Sequence, residues 1–171
     1  AYLDTMLDYN RLVSQRNALL KQSVAFGRLD AETLEIFDLQ MVPLAESLHA
    51  KRKSFLSEFE PVFRRFYAFI SEGKEEVALE YDSHLNSADF GKVLSAALPR
   101  DRATQFTTVG IHKDDLEFMI GGKPVKRFAS QGQQKSYLIS LKLAQFDLLR
   151  DRLGTKPLLL LDDIFDKLDD K

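Results

Sequence analysis

Two carboxylates that directly follow an apolar run are the residues of this sequence best suited to chemistry. Leu158 to Leu161 are consecutive leucines, and Asp162 and Asp163 come next. The run has the length of a buried strand, so the sequence predicts a strand that ends in two acidic side chains. Carboxylate oxygens suit a hydrated magnesium ion. On spacing alone, a strand that simply meets solvent at two aspartates is equally consistent with the pattern.

A second distinctive segment runs from Ser130 to Lys135 and reads Ser-Gln-Gly-Gln-Gln-Lys. It precedes a helical pattern that reaches about Arg150, and Gly154 marks the turn that follows. A glycine-containing turn before a helix leaves backbone N–H groups at the positive end of the helix dipole, where phosphate binds. The two segments together therefore predict one place for a phosphate and one for its metal ion.

Helical patterns fill residues 1–72, which are predicted to form a helical arm. The first helix spans about Asp4 to Ala25, with Gly27 as its stop and Asp30 as the N-cap of the next helix. In that second helix, apolar residues recur at steps of seven, which is typical of a seam packed against another helix. These residues are Leu34, Met41, Leu48, Phe55, Val62 and Phe69.

Two prolines are expected to divide the arm further. Pro43 lacks a backbone donor, so it is predicted to bend or locally break the second helix. Pro61 is better placed as the first residue of a third helix that runs to about Ile70. Nothing in the arm indicates catalysis.

Residues 73–171 mix strand and helix patterns, so the fold class predicted for the chain is α+β. Glu76 to Asp82 alternates as a strand does, and Ser87 is placed to cap a helix that reaches Ala97 or beyond. Thr107 to Gly110 is predicted as a short strand. Leu116 to Ile120 alternates again, and Gly121 and Gly122 are predicted to form a hairpin turn into Val125 and Phe128.

Composition restricts the function only weakly. The chain has 24 basic and 26 acidic residues, so its formal charge of −2 gives no global basic field. It contains no cysteine, which excludes disulfides and thiolate metal sites and suits a reducing cytoplasm. No apolar stretch approaches the roughly 20 residues that span a bilayer. His112 beside Asp114 and Asp115 is a weak metal motif, with a hydrogen-bonded turn favoured by about ten to one.

Three segments together resemble motifs of an ABC-type ATPase head. Ala129–Lys135, Leu158–Asp163 and Asp166–Asp169 are similar to its signature motif, Walker B strand and D-loop. The form S-x-G-Q-Q-[RK], with two aspartates in place of Asp-Glu, resembles the RecF family of bacterial recombination mediators. Gly110–Phe118 is similar to that family's G-P-H-R-D-D-L-x-F segment, and Tyr9–Lys21 to its Y-x-R-x-L-x-Q-R-N-x-L-L-K helix. The resemblance implies a helical arm joined to part of an ABC-type P-loop NTPase head over residues 73–171.

This resemblance also implies roles for individual residues. Asp162 would help to hold Mg²⁺, and Asp163 would be the catalytic base that orients the attacking water. Ser130 and Gly132 would contact the γ-phosphate of ATP bound to the other subunit. The other implied contacts with nucleotide or partner subunit are Gln131, Gln133, Gln134, Asp166 and Asp169.

The family's task implies partners as well as cofactors. ATP and Mg²⁺ would act in an intact protein that forms an ATP-dependent homodimer in the bacterial cytoplasm, associated with the nucleoid and not with a membrane. Its DNA would be gapped or carry a single-strand/double-strand junction, and RecR and RecO would be protein partners. Basic residues of the arm are candidate DNA contacts, although a solvated helix face is favoured by about two to one. They are Lys51, Arg52, Lys53, Arg64 and Arg65.

A phosphate-cradling G-x-x-x-x-G-K-[ST] loop does not occur in these residues, since Gly121-Gly122-Lys123 lacks the first glycine. The chain is therefore interpreted as the carboxy-side part of a longer ATPase, and we expect it to be inactive alone. Two alternatives stay open: the head of an SMC-like chromosome-structuring ATPase, and a non-catalytic helical interaction module. The SMC-like alternative would need a long coiled coil. The heptad spacing ends near Phe69, which argues against it.

Overall fold

The fold is known from a computed structural model that describes residues 1–154 and 157–160. It combines long helices with a small sheet, so the predicted α+β class is confirmed. In chain order the elements are α1 Tyr2–Phe26, α2 Ala31–Ile70, β1 Val77–Asp82, α3 Phe90–Thr104, a 3-10 turn Ile111–Lys113, β2 Asp115–Ile120, β3 Lys123–Pro124, α4 Val125–Phe128 and α5 Gln131–Leu153.

The turn between α1 and α2 forms as predicted, because Gly27 and Asp30 determine where the two helices end and begin. Gly27 follows α1 in the left-handed conformation, with φ at 68°, which a residue without Cβ adopts most easily. Asp30 precedes α2, and its carboxylate accepts a hydrogen bond from the Thr33 N–H at 3.0 Å. This is the side-chain cap that satisfies one of the unpaired donors of a first helical turn.

The two prolines do not divide α2, which is one helix of 40 residues. The predicted break at Pro43 is wrong, as is the helix start at Pro61. An interior proline costs about 3 kcal/mol, because it removes a hydrogen bond and crowds the preceding turn. Met41 and Ala45 flank Pro43 and are completely buried. Burial of the surrounding turns offsets the local penalty, so tertiary packing overrides the signal.

One compact unit comprises Ala1–Lys53 and Tyr81–Asp115. Its apolar core is contributed by α1, the first half of α2, α3 and the segment before β2. The buried members are Tyr9, Leu12, Val13, Met41, Ala45, Leu48, Phe90, Leu94, Val109 and Ile111. The predicted boundary at residue 72 stays a prediction, and the compact units divide the chain at other positions.

The other compact unit comprises Ser54–Glu80 and the described residues from Leu116 onward. Its core joins the second half of α2 to the strands, α4 and α5. The buried members are Phe59, Phe63, Tyr67, Val77, Leu79, Ile120, Val125, Tyr137 and Ala144. The aromatic rings of Phe63 and Tyr137 lie 4.8 Å apart at a tilted angle, a favourable arrangement for two quadrupoles.

The seven-residue repeat of α2 describes only its first half. Leu34, Met41 and Leu48 are buried, but Phe69 at the end of the series is 84% exposed. In the second half, Phe59, Phe63 and Tyr67 are buried instead. An α-helix drifts by about 20° per heptad against a strict seven-residue repeat. The buried face therefore moves to residues four apart, and the predicted seam is wrong at Phe55 and Phe69, although Val62 is half-buried against the second core.

The segment between β1 and β2 differs from the prediction in two respects. Asp89, not Ser87, caps α3, since its carboxylate accepts a hydrogen bond from the Lys92 N–H at 2.9 Å. Thr107 to Gly110 forms no strand. The Thr107 N–H is instead donated to the side-chain carbonyl of Asn17 at 2.7 Å. A side-chain acceptor thus takes the place of the strand partner that the prediction required.

The sheet has three strands in the order β1-β2-β3. β2 and β3 are antiparallel, with Met119 opposite Pro124 and Ile120 opposite Lys123. Gly121 and Gly122 connect them with φ of 54° and 72°, the two positive values that a tight hairpin turn of this kind requires. The predicted hairpin turn is therefore confirmed, but its second strand ends at Pro124, and Val125 and Phe128 lie on α4 instead. A proline has no N–H with which to continue the ladder. None of the helices within the described ranges is long and apolar enough to cross a membrane.

Candidate functional site

The predicted phosphate-binding turn lies at the start of α5. Ser130 is the N-cap of this 23-residue helix, and its hydroxyl oxygen accepts a hydrogen bond from the Gln133 N–H at 3.2 Å. In return, the side-chain carbonyl of Gln133 accepts from the Ser130 N–H at 2.6 Å. This reciprocal capping box uses two donors that would otherwise be unpaired. It fixes the turn before any ligand binds. We call Ser130–Gln134 the signature turn.

The capping box leaves several donors of the turn for a ligand. Gln131 and Gly132 occupy the first two positions of the helix, where N–H groups have no intrahelical acceptor. The Ser130 hydroxyl accepts from Gln133, so its own proton stays available. Ser130, Gln131, Gly132 and Gln134 are all exposed, and Gln133 is half-buried. A group of this kind, at the positive end of a long helix, suits an anion such as a phosphate.

The space that a side chain on Gly132 would occupy is empty among the described residues. A Cβ added there would meet nothing nearer than the Ser130 hydroxyl oxygen at 4.0 Å. The residue is therefore not required for packing among the described residues. Its missing side chain leaves the backbone approachable, as a cradle for phosphate oxygens needs.

A carboxylate that the sequence did not reveal holds the signature turn. The side-chain amide of Gln133 donates a hydrogen bond to Glu75, and the Tyr67 hydroxyl donates to the other carboxylate oxygen of Glu75 at 2.8 Å. Burial and the adjacent Glu75 raise the pKa of Tyr67, so the hydroxyl stays a donor. Because Glu75 accepts from the amide nitrogen of Gln133, the carbonyl oxygen is directed to the Ser130 N–H. No spacing signal links residues so far apart in the chain.

The segment around His112 is a structural junction of the first unit. The Tyr9 hydroxyl lies 3.1 Å from His112 Nδ1, and His112 Nε2 lies 3.1 Å from the Thr107 carbonyl oxygen. A carbonyl only accepts, so Nε2 carries the proton and Nδ1 accepts from Tyr9. Burial lowers the pKa of His112 and favours this neutral form. Both ring nitrogens are thus used, which agrees with the hydrogen-bonded turn favoured from the sequence.

Asp114 completes the junction. Arg52 Nη1 donates to its carboxylate at 2.7 Å and to the Ile111 carbonyl at 2.9 Å, and the Tyr81 hydroxyl also donates to Asp114. Burial first, and then Asp114, raise the pKa of Tyr81 to about 12. The described residues 1–154 and 157–160 contain no group of three or more His, Cys, Asp or Glu side chains arranged to hold a metal.

A buried ion pair ties α1 to α3. Arg16 and Asp101 have fully buried side chains, and Arg16 Nη1 donates to Asp101 at 2.6 Å. Arg16 Nε also donates to Asp38 at 2.6 Å, and Asp101 accepts from the Thr108 N–H at 2.8 Å. Buried charges are tolerated only when they are paired and hydrogen-bonded in this way. Arg16 lies in the helix that resembles the RecF family, and its role here is structural.

The candidate DNA contacts on α2 are in different environments. Arg52 is engaged within the first unit as described above, and its side chain is only 21% exposed. Arg64 pairs with Glu60 one helical turn earlier, at 2.6 Å. Arg65 pairs with Asp147 of α5 at 2.7 Å. Lys51 and Lys53 are exposed. Their role in DNA binding stays a prediction.

Within the described residues 157–160, the predicted buried strand is not formed. Leu158 and Leu160 are 93% and 91% exposed, and 157–160 are not assigned to a strand. The prediction is wrong for these residues, because a parallel-type buried strand is stable only with neighbours that cover it. The rest of the predicted metal-facing group lies outside the described residues. It consists of Asp162 and Asp163, and the strand residue Leu161 and the D-loop residues Asp166 and Asp169 lie outside the described residues as well.

The described fold is that of half of an ABC-type ATPase head with its helical part. It matches two solved structures of the recombination mediator protein RecF in the RecFOR pathway, one with ATP and one with ATPrS. The TM-scores are 0.88 and 0.87, at 28% and 29% identity. The match covers 99% and 98% of this chain and 47% of each structure. No protein-family model matches the chain.

Nearly all residues of this chain align with the DNA replication and repair protein RecF of several bacteria. It is 47% identical over 169 residues to that protein of Flavobacterium johnsoniae and 46% identical over 168 residues to that of Bacteroides thetaiotaomicron. Identity to the RecF of Cytophaga hutchinsonii is 41% over 169 residues. The chain spans 45–47% of the length of these relatives. The resemblance to the RecF family is thereby confirmed.

Proposed function

We propose that this chain is the carboxy-side part of a RecF-like, ABC-type ATPase that acts in DNA replication and recombinational repair. The observation that carries the proposal is the signature turn. It combines the family's S-x-G-Q-Q-K residues with a preformed helix start whose donors face solvent. The sequence relatives named as DNA replication and repair proteins support the process.

ATP is the proposed ligand of the signature turn. The Ser130 hydroxyl and the N–H groups of Gln131 and Gly132 would bind the γ-phosphate of a nucleotide held by a second subunit. Gln133 and Gln134 would keep the turn in shape; Gln134 already donates its side-chain amide to the Ala129 carbonyl at 3.0 Å. The bound ATP would thus bridge two subunits, and its hydrolysis would remove the charge that holds them together.

Magnesium and the hydrolytic base are assigned from the family motif alone. We propose Asp162 as the magnesium-facing carboxylate and Asp163 as the base that orients water, both outside the described residues. Asp166 and Asp169 would contact the partner subunit. The cradle for the remaining phosphates would come from a part of the protein other than these residues. We therefore expect isothermal calorimetry of this chain with ATP and magnesium to show no micromolar binding.

DNA and protein partners follow from the same proposal. The intact protein would bind gapped or junction DNA as an ATP-dependent dimer and act with RecO and RecR in the bacterial cytoplasm, at the nucleoid. The similar structures of RecF in the RecFOR pathway support this assignment. Arg64 and Arg65 remain candidate phosphate contacts on α2. If they bind phosphates, reversing both charges should flatten the dependence of DNA affinity on salt.

A charge placed at the signature turn tests the proposal. Gln131→Glu adds a carboxylate at the first position of α5, where the helix dipole stabilises it, so folding should not suffer. A phosphate within about 4 Å of that carboxylate is opposed by roughly 4 kcal/mol per unit charge near a protein surface. We expect ATP-dependent dimerisation of the full-length protein to weaken at least tenfold in sedimentation velocity.

Gln145→Glu is the matched control, because it makes the same charge change at an exposed position of the same helix. It should dimerise as the unaltered protein does. Equal behaviour of the two variants would show that the turn does not contact a phosphate. A full-length protein that does not dimerise with ATP would contradict the proposed function as a whole.

A further inference from the structure

The segment from Phe118 to Phe146 is strongly basic within a chain of net charge −2. It contains no acidic residue and five basic ones. These are Lys123, Lys126, Arg127, Lys135 and Lys142. The segment begins within β2, after the acidic residues Asp115 and Glu117 of that strand, and continues through β3, α4 and the signature turn to about two thirds of the way along α5. A local field of this sign attracts phosphates, although the chain as a whole does not.

Three of these cations are exposed and lie within residues 123–127. Lys123 lies on β3, and Lys126 and Arg127 lie on α4. Among the described residues, no carboxylate forms an ion pair with any of the three. The arginines of the same unit differ, because each of Arg64, Arg65, Arg150 and Arg152 pairs with an acidic side chain. The three cations on the hairpin and α4 therefore keep their full charge for a partner.

An exposed aromatic ring accompanies the cations. Phe128 ends α4 and is 60% exposed, and Lys123 Nζ lies 5.5 Å from its ring centroid. Both residues line a cavity of about 280 Å³ whose other lining residues are Glu75, Ile120, Gly121 and Gln133. Within the described part of the chain, Glu75 forms no ion pair with Lys123, since its carboxylate accepts from Gln133 and Tyr67. A solvated phenylalanine beside unpaired cations is the combination that single-stranded nucleic acid recognises. Bases stack on the ring, and lysine and arginine neutralise the phosphates.

We propose that Lys123, Lys126, Arg127 and Phe128, together the hairpin surface, bind single-stranded nucleic acid. This inference rests on the proposed function in DNA repair and adds a surface to it. The three cations bind successive phosphates, and Phe128 stacks on a base. Recognition of this kind has no sequence preference, which suits a protein that acts at gaps of any sequence. The hairpin surface is distinct from the arginines of α2, which are paired within the chain.

ATP is the other source of phosphate close in sequence to the hairpin surface, since Ser130 follows Phe128 by two residues. The two ligands are separable by experiment. A nucleic acid engages the stacking ring and gives a salt dependence that grows with the number of phosphates bound. A surface that served only ATP would change nucleotide-dependent dimerisation and leave DNA affinity intact.

The test uses the full-length protein, ATP with magnesium, and a fluorescent oligothymidine, with binding followed by anisotropy at several salt concentrations. Lys126→Glu combined with Arg127→Glu should weaken binding at least tenfold at low salt. It should also lower the slope of log affinity against log salt by about 1.4, because each phosphate contact on a single strand contributes about 0.7. Phe128→Leu keeps an apolar side chain without a π-face and should weaken binding at least fivefold.

Arg100→Glu combined with Arg102→Glu is the matched control, since both arginines are exposed on α3 and the charge change is identical. It should bind within twofold of the unaltered protein. Equal losses in the control and in the hairpin variants would overturn the hairpin surface, and so would unchanged DNA binding with reduced ATP-dependent dimerisation. If the unaltered protein binds no DNA at all, the proposed function fails together with the inference.

Discussion

The tether between Glu75 and the signature turn predicts a specific functional loss when its charge is removed. Gln133 donates to one carboxylate oxygen of Glu75 and Tyr67 to the other. A hydrogen bond to a charged group contributes about 1.5–3 kcal/mol, against about 0.5–1.5 kcal/mol for a neutral pair. Glu75→Gln keeps the size of the side chain but not its charge, so the tether should weaken by about 1 kcal/mol, roughly fivefold. Glu75→Ala removes both acceptor oxygens and should weaken it by tenfold or more.

Two measurements on the full-length protein check this expectation. Amide hydrogen exchange without nucleotide should be faster at the signature turn in both variants, because the turn opens more often. Sedimentation velocity with ATP should show weaker dimerisation in the same order, with Glu75→Ala the weaker of the two. Glu76→Gln is the matched control. Its side chain is exposed, and its backbone carbonyl accepts from the Gly121 N–H at 2.8 Å, a contact that the substitution leaves in place.

Two results would refute the reasoning. Unchanged exchange in Glu75→Ala would show that the capping box alone holds the turn. Faster exchange with unchanged dimerisation would show that the order of the turn does not limit ATP binding. Glu76→Gln also removes one negative charge. A change that appears in the Glu75 variants and not in Glu76→Gln is therefore not a general effect of charge.

Three further predictions concern the first unit. Asp101→Ala removes the fully buried one of the two carboxylates that pair with Arg16 and should lower the free energy of unfolding by about 3–5 kcal/mol, measured by urea titration. Gly110→Ala should prevent normal folding, because φ is 118° and the new Cβ would lie 2.9 Å from the ring of Phe90; the yield of soluble protein and its melting temperature report this. Burial lowers the pKa of His112 below its ordinary 6.5, so the unfolded chain binds a proton first and stability should fall as pH drops below about 6.5. Urea titration should show a smaller loss between pH 7 and about pH 5.5 in His112→Gln.

Control variants separate these effects from the loss of an exposed ion pair and from backbone strain alone. Asp151→Ala removes an exposed partner of Arg150 and should leave the urea midpoint nearly unchanged, because solvent screens such a pair. Gly73→Ala has positive φ but no atom within 4 Å of the added Cβ, so it isolates backbone strain from the steric clash at Gly110. An equal melting temperature for the two glycine variants would contradict the clash. A pH dependence unaltered by His112→Gln would show that other groups control acid stability.

Local turn chemistry was predictable from the sequence. Gly27 and Gly154 end α1 and α5 in the left-handed conformation, with φ of 68° and 62°. Asp30 caps α2, and the glycine pair at Gly121 forms the hairpin turn. Each of these features depends on residues within four positions of each other. The short-range energies that a pattern encodes are therefore sufficient to set them.

Predictions failed where packing opposed a local signal. Pro61 favours a helix start but lies within α2, and the seven-residue repeat does not describe the buried face near Phe69. Thr107 was expected in a strand, yet Asn17 supplies the acceptor for its N–H. In each case the free energy of burying a neighbouring face, or of satisfying a buried donor, exceeds the local preference.

The sequence by itself determined the capping box of the signature turn, because Ser130 and Gln133 are three residues apart and meet in any helix that starts there. Only the tertiary structure decided what holds that turn. Glu75 and Gln133 are separated by 58 positions, and Arg16 and Asp101 by 85. Contacts at such separations form only when a core closes the intervening chain, and burial then decides which charged side chains must be paired.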